Sequence, residues 1–438
     1  MTIKKASTST CITTKNARRS QVWEKFLEIR TTALARGGVR PILMDTCAGA
    51  RGSARGWSYV AVPAKVQKKW GTVPVPGHAI KSGPTFTGGW AGFMTYEGKP
   101  HFLWCDKVYA FQVTCEDGRD FVRAHKCKFF VKNFKSTITR ARYREQFKKI
   151  QKYLRDGESY QVNFAQNFVG DFSGDPFFLY ASAFSVNPSA MCFYMEIPPQ
   201  RGKAATTICS NSPERLFSLR DGILRTEPVK GTVGILEDPA FLLSDKKSYS
   251  ELTMIVDLMR NDLARVSEIG SVKVVKHQEL MKLKSVWHTF SVIEGRLREG
   301  LSAFDVLGAL FPGGSVTGCP KVRTMEIISR LENFERGAYC GSAGYISETG
   351  DADFNIMIRT ATVSARADGR GGADAYKCAK SGAQVNFPSG GGITVGSTCS
   401  GEYEETLKKV AAFKEAVKGK GMMGFTDKDS VPGRDLNL

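Results

Sequence analysis

The sequence predicts a mixed protein in which strands and helices alternate, of α+β or α/β type. Three observations carry that prediction. Tyr143, Phe147, Ile150 and Leu154 recur at helical spacing, so residues 139–154 read as an amphipathic helix ended by Gly157. Residues 215–224 read as a hairpin closing on Asp221-Gly222, a dipeptide suited to the tight hairpin turns. Strand-like runs such as Tyr160-Gln161-Val162-Asn163-Phe164 then alternate with helical ones to about residue 417, and no fixed internal repeat interrupts them.

Along the chain, residues 1–19 read as a disordered tail, since residues 1–23 carry no acid and are rich in Ser, Thr, Lys and Arg. Val22, Phe26 and Ile29 place a helix over 20–30. Leu43-Met44-Asp45-Thr46 precedes a Gly/Ala/Ser/Arg loop and a strand over 57–62. Gly88-Gly89-Trp90-Ala91-Gly92-Phe93 suggests close strand packing. More strands follow to about 131, closing a first region (20–131). A second region (139–418) carries the candidates for chemistry. Within it, residues 365–388 are Gly/Ala-rich and read as an inserted flexible loop, and residues 419–438 as a loose tail.

The 438 residues are 42% hydrophobic and 24% charged, ordinary values for a soluble globular protein. The net charge of +19 is not ordinary. It fits solubility and attraction for anions. No helix-turn-helix, zinc-finger or RNP pattern accompanies it, which argues against nucleic acid. Eleven cysteines, odd in number and without C-x-x-C spacing, fit reduced thiols in a cytoplasmic compartment, with an organelle transit peptide in residues 1–23 as the alternative. Five histidines form no H-x-x-x-H pair, so no zinc site is expected. The longest uncharged stretch, 176–195, is broken by Asn187-Pro188-Ser189 and does not read as a membrane span.

Glu227-Pro228-Val229-Lys230-Gly231-Thr232 is the centre of the candidate chemistry. A rigid residue and a permissive one flank a single amine. Either this is a surface lysine in a loop, or the amine is held at a defined point. The hairpin register would bring Glu214 and Lys230 to the same open end. Ser248-Tyr249-Ser250-Glu251 reads as a capping box with Glu251 at its third helical position, and a metal-binding role is the alternative. Glu402, Glu405 and Lys409 share one helix face, as a solvated ion-paired surface or as a carboxylate cluster. Glu405 and Glu251 meeting in space would suit Mg²⁺, a hard cation that prefers oxygen. Phe311 through Pro320 is a glycine-rich entry to a helix, with Pro320 at the first helical position, and Gly390-Gly391-Gly392 is a second place where backbone can approach a ligand. His288 sits among apolar residues as core or as ligand. Tyr339 and Arg359 are candidates either for carboxylate recognition or for structural contacts in a strand pair.

These segments together resemble the chorismate-utilising enzymes, which include anthranilate synthase large subunits, aminodeoxychorismate synthase component I, and isochorismate and salicylate synthases. The matching stretches occur in the family's order. They are Tyr160-Gln161-Val162-Asn163, Ser212-Pro213-Glu214-Arg215, Pro228 through Thr232, Glu251 through Asp262, Phe311 through Lys321, Tyr339 through Tyr345, Ile358-Arg359-Thr360, Gly390-Gly391-Gly392 and Glu402 through Thr406. The resemblance covers residues 140–418 strongly and 20–131 faintly. It implies an α+β chorismate-binding fold, with large antiparallel sheets packed face to face and helices outside.

The resemblance also implies chemistry. Anthranilate synthases carry alanine where this chain has Lys230, and lysine there is similar to aminodeoxychorismate synthase. Isochorismate and salicylate synthases place a water-activating lysine where this chain has Gln161. Lys230 is then expected to attack chorismate covalently, with Glu214 as acid and His288 and Thr317 beside the ring hydroxyl. Glu251, Glu405 and Glu402 are expected to hold Mg²⁺. Tyr339, Arg359, Gly390, Gly391, Gly392, Gly231, Thr232 and Lys409 are expected to line the substrate. An anthranilate synthase is the alternative within the family, and a non-catalytic basic scaffold the alternative outside it. Glu227 departs from the family's usual basic residue. Asn187-Pro188-Ser189-Ala190-Met191 lacks the Pro-Tyr-Met of tryptophan-regulated relatives. No G-x-C-x-G nucleophile stretch occurs in the chain, so ammonia is expected from a separate glutamine amidotransferase.

Overall fold

A computed structural model describes residues 9–46, 57–72, 83–113, 118–125, 129–199, 204–282, 286–365 and 383–418. The chain opens with β1 (Thr10–Ala17), α1 (Arg19–Ala35), β2 (Ile42–Asp45), β3 (Trp57–Pro63), β4 (Gly89–Met94) and the long β5 (Pro100–Val113). Then come α2 (Arg119–Ala124), β6 (Phe129–Ser136), α3 (Arg140–Arg155), β7 (Gln161–Gly174), α4 (Pro176–Val186), β8 (Met191–Ile197) and β9 (Thr206–Ser212). The middle holds β10 (Arg215–Arg220), β11 (Ile223–Thr226), β12 (Val229–Gly234), α5 (Ala240–Ser244), α6 (Lys246–Ala264), β13 (Lys273–Lys282), β14 (Val286–Arg296) and α7 (Ala303–Leu310). A 3₁₀ turn (Gly314–Val316) leads to β15 (Gly318–Cys319), α8 (Lys321–Leu331), β16 (Ser342–Ser347), β17 (Ala352–Asn355), β18 (Thr360–Ser364), β19 (Ala383–Ile393) and α9 (Cys399–Val417).

Strand pairing follows one continuous antiparallel path. From one end it runs β6-β7-β19-β18-β9-β8-β2-β3-β5. From β5 it continues β4-β16-β17-β10-β11-β14, with β12 and β13 also on β14. β1 lies parallel to β5. The first half of β5 pairs with β4 and its second half with β3 and β1, so this strand belongs to both arms of the path. The arms face one another. Met44, Tyr59, Phe193 and Ile208 of one pack with Phe93, Ala343 and Tyr345 of the other in a single buried cluster. Helices cover the outer faces: α1, α4 and α9 over the first arm, α6 and α7 over the second. This is the α+β arrangement of antiparallel sheets and outer helices that the sequence led us to expect.

The hairpin register is also as expected, with Leu219 opposite Leu224 and Arg220 opposite Ile223. Four local expectations change. Residues 10–17, placed in a loose tail, form β1 against β5. Helix α6 begins at Lys246 rather than at Ser248, because the amide of Tyr249 already bonds the carbonyl of Asp245. Glu251 therefore sits in the second turn and not at the third position of a capping box. Pro320 is the N-cap of α8, one residue before the first helical position. Residues 383–388, assigned to a flexible insert, belong to β19 and pair with β7, while 366–382 lie outside the described residues. The tail 419–438 and residues 1–8 lie outside them too. Among the described residues no helix is long and apolar enough to cross a membrane.

Candidate functional site

β12 positions the central amine. It pairs with β14, Lys230 opposite Thr289 and Thr232 opposite His288, and Gly231 is the extra residue of a bulge between them. Gly231 adopts φ +66°, a conformation other residues enter at a cost of about 1–2 kcal/mol. The bulge re-aims what precedes it, and the Thr289 hydroxyl locks the Lys230 carbonyl. Among the described residues no carboxylate forms an ion pair with Lys230. Glu227, the acid that could have done so, is turned to Arg215 (3.3 Å) and Arg225 (2.8 Å).

Glu214 lies buried just before β10, 8% exposed. Its amide bonds the Ser212 hydroxyl and its carbonyl accepts from the Ile356 amide at 3.0 Å, so the backbone is fixed on both sides. Burial pushes the Glu214 carboxyl above its ordinary pKa, while the Ser315 hydroxyl and the charges of Lys230 and Lys409 pull the other way. The hairpin ladder ends before this point, since β12 leaves β11's line to pair with β14. Yet Glu214 and Lys230 still act on each other's charge.

The other end of the site is built by β19 and α9. Lys409 Nζ donates to the Gly390 carbonyl at 2.8 Å and pairs with Glu405 at 2.7 Å. Glu402 is buried and accepts from the Ser397 hydroxyl at 2.6 Å. A Cβ on Gly391 would lie 3.1 Å from Glu402 Oε2 and 3.3 Å from Glu405 Oε1. Two carboxylates thus flank one glycine, and their helix face is a site wall rather than a purely solvated surface. Next to it, a Cβ on Gly392 would lie 2.8 Å from Gln161 Nε2. The Gln161 amide is fully buried with neither polar atom hydrogen-bonded among the described residues, and the buried Asn163 Oδ1 lacks a partner among them too. Unsatisfied buried polar atoms on this scale point to a ligand or solvent contact.

His288 donates from Nδ1 to the Gly231 carbonyl at 3.0 Å, which leaves Nε2 as the acceptor. Burial lowers its pKa, and the Arg359 guanidinium lowers it further, so the ring is neutral. Arg359 itself has no carboxylate partner among the described residues. Burial pulls its pKa down from the ordinary arginine value, and a buried guanidinium suits an anionic partner. It shares a cleft of about 400 Å³ with Lys409, Asn187 and Asn211.

The structure therefore brings Lys230, Gly231, Glu214, His288, Arg359, Gly390, Gly391, Gly392, Glu402, Glu405 and Lys409 into one connected set. Thr317 is fully buried and turns its hydroxyl to the Gly313 carbonyl at 3.0 Å. Tyr339 is buried in the core under the second arm, its ring 5.9 Å from the Arg336 guanidinium. Glu251 projects from α6, which packs against β12 and β14, and the side chain of Thr232 is outside the described residues. Among the described residues no three His, Cys, Asp or Glu side chains converge at metal-binding distance. Ser315 was not singled out from sequence. It stands in the glycine-rich 311–320 stretch, and only the fold shows that it faces Glu214. A second pocket lies between the arms, lined by Met44, Asp45, Tyr59, Met191 and Arg215 and by none of the residues of this set.

Comparison with known proteins places this geometry. The family model described as chorismate binding enzyme matches residues 91–415. Aminodeoxychorismate synthase component 1 of Salmonella typhimurium is 38% identical over 284 residues, 63% of this chain and 58% of that protein. Anthranilate synthase component 1 of Aquifex aeolicus is 36% identical over 310 residues, 69% of this chain and 58% of that one. The match thus spans 58% of each relative's length. The solved anthranilate synthase component I of Streptococcus pneumoniae superposes with a TM-score of 0.65 at 26% identity, covering 83% of this chain and 93% of that one. A menaquinone-specific isochorismate synthase from Escherichia coli shares the fold, with a TM-score of 0.64 at 20% identity over 86% of this chain and 89% of that one.

Proposed function

We propose, for a chain that belongs to the chorismate-binding enzymes, that it is the ring-handling component of a synthase that aminates chorismate to 4-amino-4-deoxychorismate. One observation carries the reading: Lys230, with no carboxylate ion pair among the described residues, sits at a fixed bulge within electrostatic reach of a buried Glu214 whose carboxyl is pushed toward its protonated form.

In the reaction we propose, the Lys230 amine attacks ring carbon 2 and the ring electrons shift. The carbon 4 hydroxyl then leaves as water with the proton of Glu214. Ammonia next attacks carbon 4 and loses a proton, the electrons shift back, and the bond from carbon 2 to Lys230 breaks. Atoms balance as chorismate plus ammonia giving amine product plus water. His288, neutral through Nδ1–H to the Gly231 carbonyl, would accept or relay a proton at the ring hydroxyl, with Thr317 behind it. Arg359, Tyr339 and the backbone at Gly391 and Gly392 would bind the enolpyruvyl carboxylate. Lys409, Gly231 and Thr232 would close the walls.

Carboxylate oxygens suit a hard divalent cation, and Glu405 would exchange its ion pair with Lys409 for it. Glu402 and Glu405, with Glu251 from α6, would hold Mg²⁺, which when bound would neutralise the ring carboxylate. Ammonia would come from a separate glutamine amidotransferase. The reaction would run in the cytoplasm.

The second reading is an anthranilate synthase component I. The solved relative of 26% identity and the Aquifex aeolicus relative, matched over more of this chain than the Salmonella typhimurium one, both favour it. One experiment separates the two. The protein is incubated with chorismate, Mg²⁺ and an ammonium salt, and the products are identified by mass spectrometry. A 4-amino diene product with a trappable Lys230 adduct is expected. Anthranilate with released pyruvate would transfer the assignment to the second reading.

A further inference from the structure

Two of the site's segments, β7 opposite the Gly390–Gly392 stretch and the turn that carries Ser315 and Thr317, come from distant parts of the chain. The β15–β7 pairing and the Asn163 side-chain amide, which donates to the Ser315 carbonyl at 3.3 Å, join them directly, and one buried arginine adds a clamp. Arg336, 4% exposed, donates from one guanidinium nitrogen to the Val316 carbonyl at 2.7 Å and from another to the Asn163 carbonyl at 2.7 Å. Its remaining donors grip Glu332 in a bidentate pair at 2.8 and 2.7 Å. Glu332 in turn accepts from the Ala165 amide at 2.9 Å.

Each anchored atom is one step from the chemistry. Val316 lies between Ser315, whose hydroxyl faces Glu214, and Thr317. Asn163 is the register partner of Gly392, and its amide bonds the Thr317 carbonyl at 2.8 Å. The same guanidinium lies 5.9 Å from the centre of the Tyr339 ring, and the Tyr339 amide bonds the Arg336 carbonyl at 3.0 Å. The planar fork suits this work, since a lysine ammonium cannot reach two carbonyls and a carboxylate in fixed directions.

We infer that Arg336, held by Glu332, is a positioning residue: it fixes the distance between the Ser315–Thr317 turn and the glycine strand, and through Ser315 the setting of the acid Glu214. This rests on the proposed amination reading for its kinetic signature, though not for the clamp itself. The charged and titratable neighbours that act on Glu214 are Lys230 from β12, Lys409 from α9 and Cys340 before β16. The clamp touches none of these side chains except through the Tyr339–Cys340 segment. A loosened turn therefore removes mainly the Ser315 contribution, which opposes the effect of burial on Glu214.

The test compares wild type, Arg336→Lys and the double variant R336M/E332Q. The double variant removes both charges together and keeps an acceptor for the Ala165 amide, so a folded core is retained where a lone truncation would strand a buried carboxylate. Tm, KM, kcat and the pH profile of kcat are measured with chorismate. Amide hydrogen exchange is followed over residues 313–319. Both variants should exchange faster there and lose more than tenfold in kcat with KM changed less than threefold. The alkaline limb of kcat should move to higher pH, because Glu214 loses a group that lowers its pKa. A folded variant with wild-type kcat, pH limb and exchange would overturn the clamp. So would a kcat loss with an unmoved limb and unmoved exchange. Wild type inert toward chorismate would sink the amination reading alone; the exchange arm still decides on Arg336.

Discussion

In the proposed reaction Glu214 would join a cost in stability to a role as acid. Burial holds its folded pKa above the unfolded value. Stability from this group is then present below the unfolded pKa and lost as pH rises through the folded one. Glu214→Gln should therefore raise Tm above that range, while kcat falls by about 10²–10⁴-fold with loss of an acid. Thermal unfolding at pH 5 and pH 8 beside initial rates checks both directions, and a Tm gain equal at the two pH values would count against the assignment. Lys230→Ala should abolish the covalent adduct in the intact-mass spectrum while leaving Tm near wild type, since the side chain is half-buried and forms no ion pair among the described residues. An adduct that persists would move the nucleophile elsewhere.

At the level of elements, β19 separates fold from function within two adjacent glycines. A Cβ on Gly390 would lie 2.6 Å from the Phe164 carbonyl, so Gly390→Ala should strain the β7–β19 ladder by about 1–3 kcal/mol. A Cβ on Gly391 presses instead on the Glu402 and Glu405 carboxylates. Gly391→Ala should weaken Mg²⁺ binding by about tenfold, read by calorimetry, with a smaller loss of Tm. The same strand shows what sequence could and could not reveal. Gly390-Gly391-Gly392 was legible as a place of close approach, and Asp221-Gly222 fixed its own register, because both signals are local. The partners of those segments were not, since Gly391 meets α9 only once the sheet has formed. Glu251 misled because Ser-x-x-Glu marks a cap only where the helix begins, and Asp245 starts this one earlier. Arg336 and Glu332 went unnoticed in the sequence, because α8 ends at Leu331 and only the fold turns the pair inward.

Over the whole molecule, the +19 charge should speed the approach of a dianionic substrate. Raising salt from about 10 mM to about 0.5 M should lower kcat/KM several-fold and leave kcat nearly unchanged, because screening acts on the approach more than on buried pairs. A salt-independent kcat/KM would assign the charge to something else. The regions 20–131 and 139–418 were expected in sequence as successive portions, and the fold interleaves them: β4 pairs with β16, and β2 with β8. That interleaving was not legible because strand pairing between residues about 150 and about 250 positions apart leaves no local trace.

The shared strand β5 has a practical outcome for anyone who trims this chain. Cutting near residue 139 would take β4 from β16, β2 from β8 and β6 from β7, and bare three hydrogen-bonding margins at once. A fragment starting there should precipitate even though it retains Lys230, Glu214, His288 and Arg359. The candidate site groups hang on the two leaves of a folded page, and residues 100–113 are its spine.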